Sequence, residues 1–178
     1  KDRKALGKVM YDNMTKYGGI GLSANQVGLP YRLFVMGGHK DMEDGLARAC
    51  WNPEIIEFSE DTIQLSEGCL TYPLLFLKIT RPKTIKVKYT DNDNKEHIED
   101  LDGMPARVFQ HEFDHMNGTD FTKLVSKFKL DRAKVAIQKI YDAEKKAAPK
   151  TVQLAKKIKR EMEEKKTGVI KPNTDIII

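Results

Sequence analysis

The chain has 178 residues, with 40 % hydrophobic and 32 % charged side chains, which is typical of one domain with or without a tail. Its net charge of +5 arises in the last third, because residues 1–120 carry 15 basic and 19 acidic side chains whereas residues 121–178 carry 16 and 7. Two cysteines, and no apolar stretch near the roughly 20 residues of a membrane span, exclude a disulfide-stapled scaffold and a transmembrane helix and favour a reducing compartment.

The first half of the chain predicts one helix followed by short strands. Residues 4–17 place apolar side chains three and four positions apart, which is typical of an amphipathic helix. Gly18 and Gly19 follow and end this helix. Short apolar or alternating segments, two of them on either side of Asn52-Pro53, predict strands at 33–36, 47–51, 55–58 and 63–65.

The second half predicts a β-hairpin and then a helix. Residues 85–89 alternate apolar residues with lysine, which indicates a half-buried strand. The polar turn at 91–94 returns the chain through a partner strand at 95–101. Pro105 fits the first turn of a helix that runs to about Met116.

The last third is predicted to be helical and basic. An apolar stripe from Leu130 to Tyr141 predicts a helix that packs on the domain and is broken by Pro149. A second helix follows at about 151–166, and the apolar end at 175–178 is a candidate for strand addition. We therefore divide the chain into a domain at 1–145 and a basic C-terminal extension at 146–178.

The strongest chemical signal is the segment from His111 to His115, which reads His-Glu-Phe-Asp-His. Positions i and i+4 share one face of a helix, so both imidazoles can reach a single metal ion. Glu112 lies about 100° around the helix from His111, close enough to touch a water molecule at that ion. These elements together predict an α+β fold, with short antiparallel strands around a central metal-binding helix and a helical C-terminal extension.

A third protein ligand is needed, because catalytic zinc and iron sites combine three protein ligands with an open position. Phe121 stands three residues after Gly118, where one class of metalloproteases has its third histidine. A downstream carboxylate such as Glu144 and the thiolate of Cys69 remain as candidates. Cys50 has no comparable context, and we expect it in the core.

Three segments, in this order, resemble the signature motifs of the peptide deformylase family. The motifs Gly-x-Gly-x-Ala-Ala-x-Gln, Glu-Gly-Cys-Leu-Ser and Gln-His-Glu-x-Asp-His resemble Gly19–Gln26, Glu67–Thr71 and Gln110–His115. The similarity covers roughly residues 4–125. Ser23 stands in place of an alanine and Thr71 in place of a serine, and we expect neither side chain to be required by the mechanism.

The resemblance implies a hydrolase that removes the formyl group from N-formyl-methionine at the amino terminus of a nascent polypeptide and releases formate. It implies one divalent metal ion, typically Fe(II) with Zn(II) or Ni(II) also accepted, held by Cys69, His111 and His115. Glu112 is implied as the general acid–base. The side-chain amide of Gln26 and the backbone N–H of Leu70 are implied to stabilise the oxyanion.

The resemblance also implies an apolar pocket for the methionine side chain, lined by Ile20, Leu65, Met104 and Val108. Val108 lies one helical turn before His111, as a wall beside the metal requires. We expect the backbone of the peptide to pair by strand addition, either with an exposed strand or with the segment from Gly19 to Gly21.

The basic last third has two interpretations, a solvated helical face or a contact with the ribosome through phosphate groups. We expect neither a membrane nor DNA as a partner. The resemblance implies action in the cytoplasm of a bacterial or virus-infected bacterial cell, or in an organelle. Two alternatives stay open: a zinc endopeptidase that takes its third ligand downstream of His115, and a basic RNA-binding protein whose metal is structural.

Overall fold

The structure is a computed structural model that describes residues 2–40, 42 and 45–166. Its helices are α1 (Arg3–Lys16), α2 (Gly103–Met116) and α3 (Lys127–Lys166). Its strands are β1 (Gly21–Ser23), β2 (Leu33–Met36), β3 (Arg48–Phe58), β4 (Thr62–Cys69), β5 (Tyr72–Pro82), β6 (Thr84–Thr90) and β7 (Glu96–Asp102). Short 3-10 turns follow β1 at Ala24–Val27 and α2 at Phe121–Leu124.

The strands form two antiparallel sheets, which confirms the predicted α+β class. One sheet has five strands in the order β1-β2-β3-β6-β7, and the other is the β4–β5 hairpin. Close contacts divide the chain into two compact units, residues 1–133 and 134–178. The first unit contains both sheets together with α1 and α2, whereas the described part of the second is a continuation of α3. The functional boundary at residue 145 stays a prediction.

The main core lies between α2 and the five-stranded sheet. Ile85, Val87 and Tyr89 are buried while the lysines between them are half-buried, as the alternation of β6 predicts. On the helix side, Phe109 is fully buried and its ring packs edge-on against Phe34 with the centroids 4.9 Å apart. This packing holds α2 against the sheet and fixes the direction of its functional side chains.

The first predicted helix and the hairpin are confirmed. The Asp2 carboxylate caps α1 by accepting from the N–H groups of Lys4 and Ala5, and Gly18, with φ +70°, ends the helix. The predicted strands at 33–36 and 85–89 and the helix up to Met116 are also confirmed.

The prediction of two strands around Asn52-Pro53 is wrong, because residues 48–58 form the single strand β3. Its register against β6 shifts between Trp51 and Glu54, and Asn52 adopts φ +48°. Such a bulge accommodates a proline, which has no N–H to donate to the ladder, without ending the strand. Strand β5 was not predicted at all, because its outward side chains Leu74 and Phe76 are apolar and hide the alternation.

The predicted break at Pro149 is also wrong, since α3 is one helix from Lys127 to Lys166. A proline inside a helix costs about 3 kcal/mol, but the alanines and lysines around it favour helix. The apolar stripe is covered in part: Leu130 and Ala133 are half-buried, whereas Ile140 and Tyr141 are exposed. The candidate strand at 175–178 lies outside the described residues. Among the helices of the described residues, none is both long and apolar enough to cross a membrane.

Candidate active site

Three side chains that are far apart in the sequence converge beside α2. Cys69 ends β4, and His111 and His115 lie one turn apart on α2. One potential ligand atom from each lies within 4.8 Å of the other two. The Cys69 Sγ is 3.3 Å from Nε2 of His115. Among the described residues this is the group of three that could hold a metal ion, and Glu144 is not part of it.

The electrostatics of this cluster fit a divalent cation. Burial by itself raises the pKa of the Cys69 thiol, but hydrogen bonds from His111 and His115 outweigh it and lower the pKa to about 5. Burial lowers the pKa of His111, whereas hydrogen bonds to Cys69 and Glu67 raise it to about 10. The cluster therefore holds a thiolate against positive charge, and a thiolate with two imidazoles is a donor set that suits Zn(II) and Fe(II).

The His111 ring is oriented by a buried carboxylate that the sequence analysis did not single out. Its Nδ1 lies 3.0 Å from Oε2 of Glu67. A carboxylate only accepts, so Nδ1 donates to Glu67, and Nε2 is the nitrogen that would coordinate a metal in place of its own proton. Arg81 and Arg107 each donate to Glu67 at 2.7 Å. Burial by itself raises the pKa of Glu67, but these donors lower it to about 2.

Glu112 lies next to the cluster and is almost completely buried. Its Oε2 accepts a hydrogen bond of 2.6 Å from the hydroxyl of Ser23. Gly21 leaves the space for this carboxylate, because a Cβ there would lie 2.9 Å from Cδ of Glu112 and 2.9 Å from Cγ1 of Val108. Burial raises the pKa of Glu112, while the charge of His111 and the Ser23 hydrogen bond oppose the rise. A buried carboxyl group with a raised pKa suits general acid–base chemistry.

Gln26 connects the glycine-rich segment to Cys69. Its Oε1 accepts from the backbone N–H of Ser23 at 2.8 Å, which directs Nε2 towards the β4–β5 turn. There Nε2 donates to Oγ1 of Thr71 at 3.0 Å and lies 3.4 Å from the Cys69 Sγ. Leu70 follows Cys69 and its side chain reaches back to Gly19, where a Cβ would lie 2.9 Å from Leu70 Cδ1. The first and second motifs therefore meet at the cluster.

Both substituted motif positions contact site residues, and the expectation that neither side chain is required by the mechanism stays a prediction. The Ser23 hydroxyl bonds to Glu112, and the Thr71 hydroxyl accepts from Gln26. A motif comparison cannot reveal the first contact, because Ser23 and Glu112 are 89 positions apart in the chain.

A cleft of about 600 Å³ opens onto the cluster. Five of the six predicted substrate-binding residues line it, namely Gly19, Ile20, Gly21, Met104 and Val108. Leu65, the sixth, is half-buried opposite Ile79 in the hairpin and is not among the residues that line the cleft. Lining residues that the sequence analysis did not predict include Tyr17, His39, Ser66, Pro73, Leu74 and Phe76.

The fold and the cluster together define a class: an α+β protein with a candidate mononuclear metal site of one thiolate and two imidazoles beside a cleft. A family model described as polypeptide deformylase matches residues 1–131, about three quarters of the chain. The chain therefore belongs to the polypeptide deformylase family.

Individual relatives agree with this assignment. The chain is 48 % identical over 109 residues to a peptide deformylase of Thermotoga neapolitana. This match covers 61 % of this chain and 63 % of that relative, which is less than two thirds of either. It is 40 % identical over 129 residues to a peptide deformylase of Afipia carboxidovorans, covering 72 % and 75 % of the two chains. The crystal structure of peptide deformylase from Ehrlichia chaffeensis superposes with a TM-score of 0.70 at 38 % identity, covering 80 % of this chain and 84 % of that one.

Proposed function

We propose that this chain removes the formyl group from N-formyl-methionine at the amino terminus of nascent polypeptides and releases formate. The observation that carries the proposal is the convergence of Cys69, His111 and His115 next to the buried Glu112, at the base of a cleft. Membership of the polypeptide deformylase family supports the same reaction.

The proposed cofactor is one divalent metal ion held by Cys69, His111 and His115, with Fe(II) as the native ion and Zn(II) or Ni(II) as substitutes. When bound, such an ion polarises water and the formyl carbonyl by Lewis acidity. Glu67 holds the His111 ring in position for this task through its hydrogen bond to Nδ1.

Glu112 is the proposed general acid–base. Its carboxylate accepts a proton from the water that adds to the formyl carbon, and it then delivers that proton to the departing amine as the C–N bond breaks. Ser23 holds Oε2 of the same carboxylate, while Oε1 lies over Gly21 at the edge of the cleft. The products are formate and a free amino terminus, and each proton taken up is returned.

The negative charge that develops on the formyl oxygen needs hydrogen-bond donors. We assign this role to Nε2 of Gln26 and the backbone N–H of Leu70. The amide of Gln26 is preset for it, because the Ser23 N–H holds the amide oxygen and directs the NH₂ group towards Cys69. Removing one donor of this kind costs on the order of 10²–10³ in rate.

The methionine side chain is proposed to bind against Ile20, Met104 and Val108, which line the cleft. A contact with Leu65 stays a prediction. Strand β1 pairs with β2 and forms one edge of the five-stranded sheet. The backbone of Gly19–Gly21 beside this edge is therefore proposed to pair with the peptide by strand addition.

We further propose that residues 1–145 form the catalytic domain and that the basic extension 146–178 contacts the ribosome, in the cytoplasm of a bacterial or virus-infected bacterial cell or in an organelle. The excess of basic residues after position 120 supports this contact. Co-sedimentation with ribosomes tests it: truncation after Tyr141 is expected to abolish binding, and undiminished binding would contradict the proposal.

Formate release from formyl-Met-Ala-Ser, with metal content measured on protein purified without oxygen, tests the proposed function. Cys69→Ala is expected to lose both the metal and turnover. Cys50→Ala is the matched control, because Cys50 is buried in the core cluster of the sheet, and it is expected to keep both. Full metal content and turnover in Cys69→Ala would disprove the ligand assignment. Cleavage of internal peptide bonds without release of formate would favour the endopeptidase alternative.

A further inference from the structure

A second cavity, of about 320 Å³, lies between the outer face of the β4–β5 hairpin and the start of α3. We call it the cationic groove. It is lined by Gln64, Phe76, Leu77, Lys78, Val125, Lys129, Arg132 and Ala133. Three of these lining residues are cationic and none of the eight is acidic. All of them belong to the compact unit that also contains the candidate active site.

The cationic groove adjoins the active-site cleft at Phe76, which lines both. This ring is 66 % exposed and packs beside Gly68, where a Cβ would lie 2.7 Å from Phe76 Cε1. Alternation along β5 puts Phe76 and Lys78 on the same outer face of the hairpin, while Leu75 and Leu77 are buried. The step from Phe76 to Lys78 is about 7 Å, or two residues of an extended peptide.

The positive charges of the groove are available to a ligand. Lys78, Lys129 and Arg132 are exposed, and none of them forms an ion pair within the described part of the chain. Lys129 and Arg132 are three positions apart on α3 and so share one helix face. The Arg132 guanidinium lies 5.6 Å from the ring of Phe128, which restricts its position without neutralising it.

We propose that the cationic groove is a subsite for the downstream part of the peptide substrate and that it recognises aspartate or glutamate side chains several residues after the formyl-methionine. The proposal rests on the proposed function, since that reaction brings the peptide into the adjoining cleft. A polypeptide whose first residue occupies the cleft and whose next residues pass Phe76 would meet three cations that have no ion-pair partner among the described residues. The position of the groove next to the cleft favours a peptide carboxylate over an RNA phosphate as the occupant.

The test uses amidated formyl-Met heptapeptides, which have no terminal carboxylate. A pair of glutamates is moved one position at a time along the peptide and compared with glutamine and lysine at the same positions. At the positions that reach the groove, glutamate is expected to lower KM about fivefold relative to glutamine with little change in kcat, the size expected for exposed ion pairs. The advantage is expected to shrink as salt is added.

Charge reversal in the groove provides the matched comparison. Lys78→Glu and Arg132→Glu are expected to remove the preference for glutamate and to favour lysine peptides. Lys83→Glu changes the net charge equally at an exposed residue that lines neither cavity, and it is expected to keep the glutamate preference. Equal KM values for the three peptide series in the wild-type protein would overturn the proposal.

Binding measurements separate this proposal from the proposed function. Anisotropy of labelled formyl heptapeptides reports the glutamate preference whether or not formate is released, while hydrolysis of formyl-Met-Ala-Ser reports the activity. A labelled twelve-residue oligouridylate is measured in parallel. If Lys78→Glu and Arg132→Glu weaken binding of this RNA and leave the peptide preference unchanged, the groove is an RNA surface and the proposal is wrong.

Discussion

Two clusters of arginine and glutamate, each with a buried arginine, have similar chemistry but different connections. In the site cluster, Glu67 accepts from Arg81 and Arg107 and also holds Nδ1 of His111. In the sheet cluster, Glu99 accepts from the Arg48 guanidinium at 2.9 Å and from the Tyr89 hydroxyl at 2.6 Å. The site cluster is hydrogen-bonded to a candidate metal ligand, whereas the sheet cluster connects strands β3, β6 and β7.

The comparison teaches that burial and ion pairing do not by themselves identify a functional group. Both carboxylates satisfy buried arginines, and removing either leaves a buried charge without its partner. The two clusters differ in the other partner of the carboxylate, which is His111 for Glu67 and Tyr89 for Glu99. We therefore expect substitutions in the site cluster to change metal affinity and stability together, and substitutions in the sheet cluster to change stability alone.

The largest expected effect is on kcat and comes from a residue that belongs to neither cluster. Glu112→Gln removes the proposed general acid–base but keeps a side chain of the same shape, so kcat should fall by about 10²–10⁴. Metal content and thermal midpoint should remain close to those of the wild type, because Glu112 is outside the ligand set. Formate release and metal analysis on the same preparation check this, and near-normal turnover would remove Glu112 from the mechanism.

Glu67→Gln is expected to have the next largest effect, because it changes the central carboxylate of the site cluster. The amide cannot neutralise Arg81 and Arg107, so stability should fall by about 3–5 kcal/mol. It also holds the His111 ring less firmly, so metal affinity should fall by about 10–100-fold. Competition with a chelator measures the affinity, and urea unfolding measures the stability. A loss of stability with unchanged metal affinity would make the two clusters equivalent.

Ser23→Ala sharpens the account of how Glu112 is held. Without the hydroxyl, Oε2 of Glu112 loses its 2.6 Å hydrogen bond, and kcat should fall by about tenfold, which corresponds to ~1.4 kcal/mol, with KM unchanged. The double variant with Glu112→Gln should be no slower than Glu112→Gln alone, because Ser23 acts through that carboxylate. Additive losses would indicate a purely structural role.

Glu99→Gln tests the sheet cluster and serves as the control for Glu67→Gln. It weakens the hydrogen bonds to Arg48 and Tyr89, so the free energy of unfolding should fall by about 1–3 kcal/mol. Metal affinity and kcat should not change, since none of these residues lines the active-site cleft. A drop in metal affinity comparable to that of Glu67→Gln would break the comparison.

The two clusters should respond to opposite ends of the pH scale in protein from which metal has been removed. Hydrogen bonds outweigh burial and lower the pKa of Glu67 from 4.5 to about 2, so its contribution is complete above pH 4.5 and is lost as the pH falls towards 2. Burial and the bond to Glu99 raise the pKa of Tyr89 above 10.0, so its contribution is lost as the pH rises beyond that value.

Urea unfolding across pH checks both signs. The stability difference between the wild type and Glu67→Gln should shrink below pH 4.5. The wild type should lose stability relative to Tyr89→Phe above pH 10.0, because phenylalanine has no proton to lose. Parallel curves for wild type and variant would contradict the corresponding assignment.

Local periodicity was sufficient for those elements whose two faces differ in polarity. Residues 85–89 alternate apolar and basic side chains, and β6 follows that alternation. It failed for β5, where Leu74 and Phe76 are apolar on the exposed face, and at Pro149, where the helix continues through a residue that usually ends one. At β5 the local signal does not report which face is covered.

The sequence by itself determined that His111, Glu112 and His115 share one helix, because an i, i+4 spacing is a property of the helix and needs no partner. The choice of Cys69 as the third candidate ligand rested on resemblance, and only the tertiary structure brought its sulfur within reach of both imidazoles. The roles of Glu67 and Ser23 were also decided there. Their hydrogen bonds span 44 and 89 positions of chain, and no local pattern encodes contacts of that length.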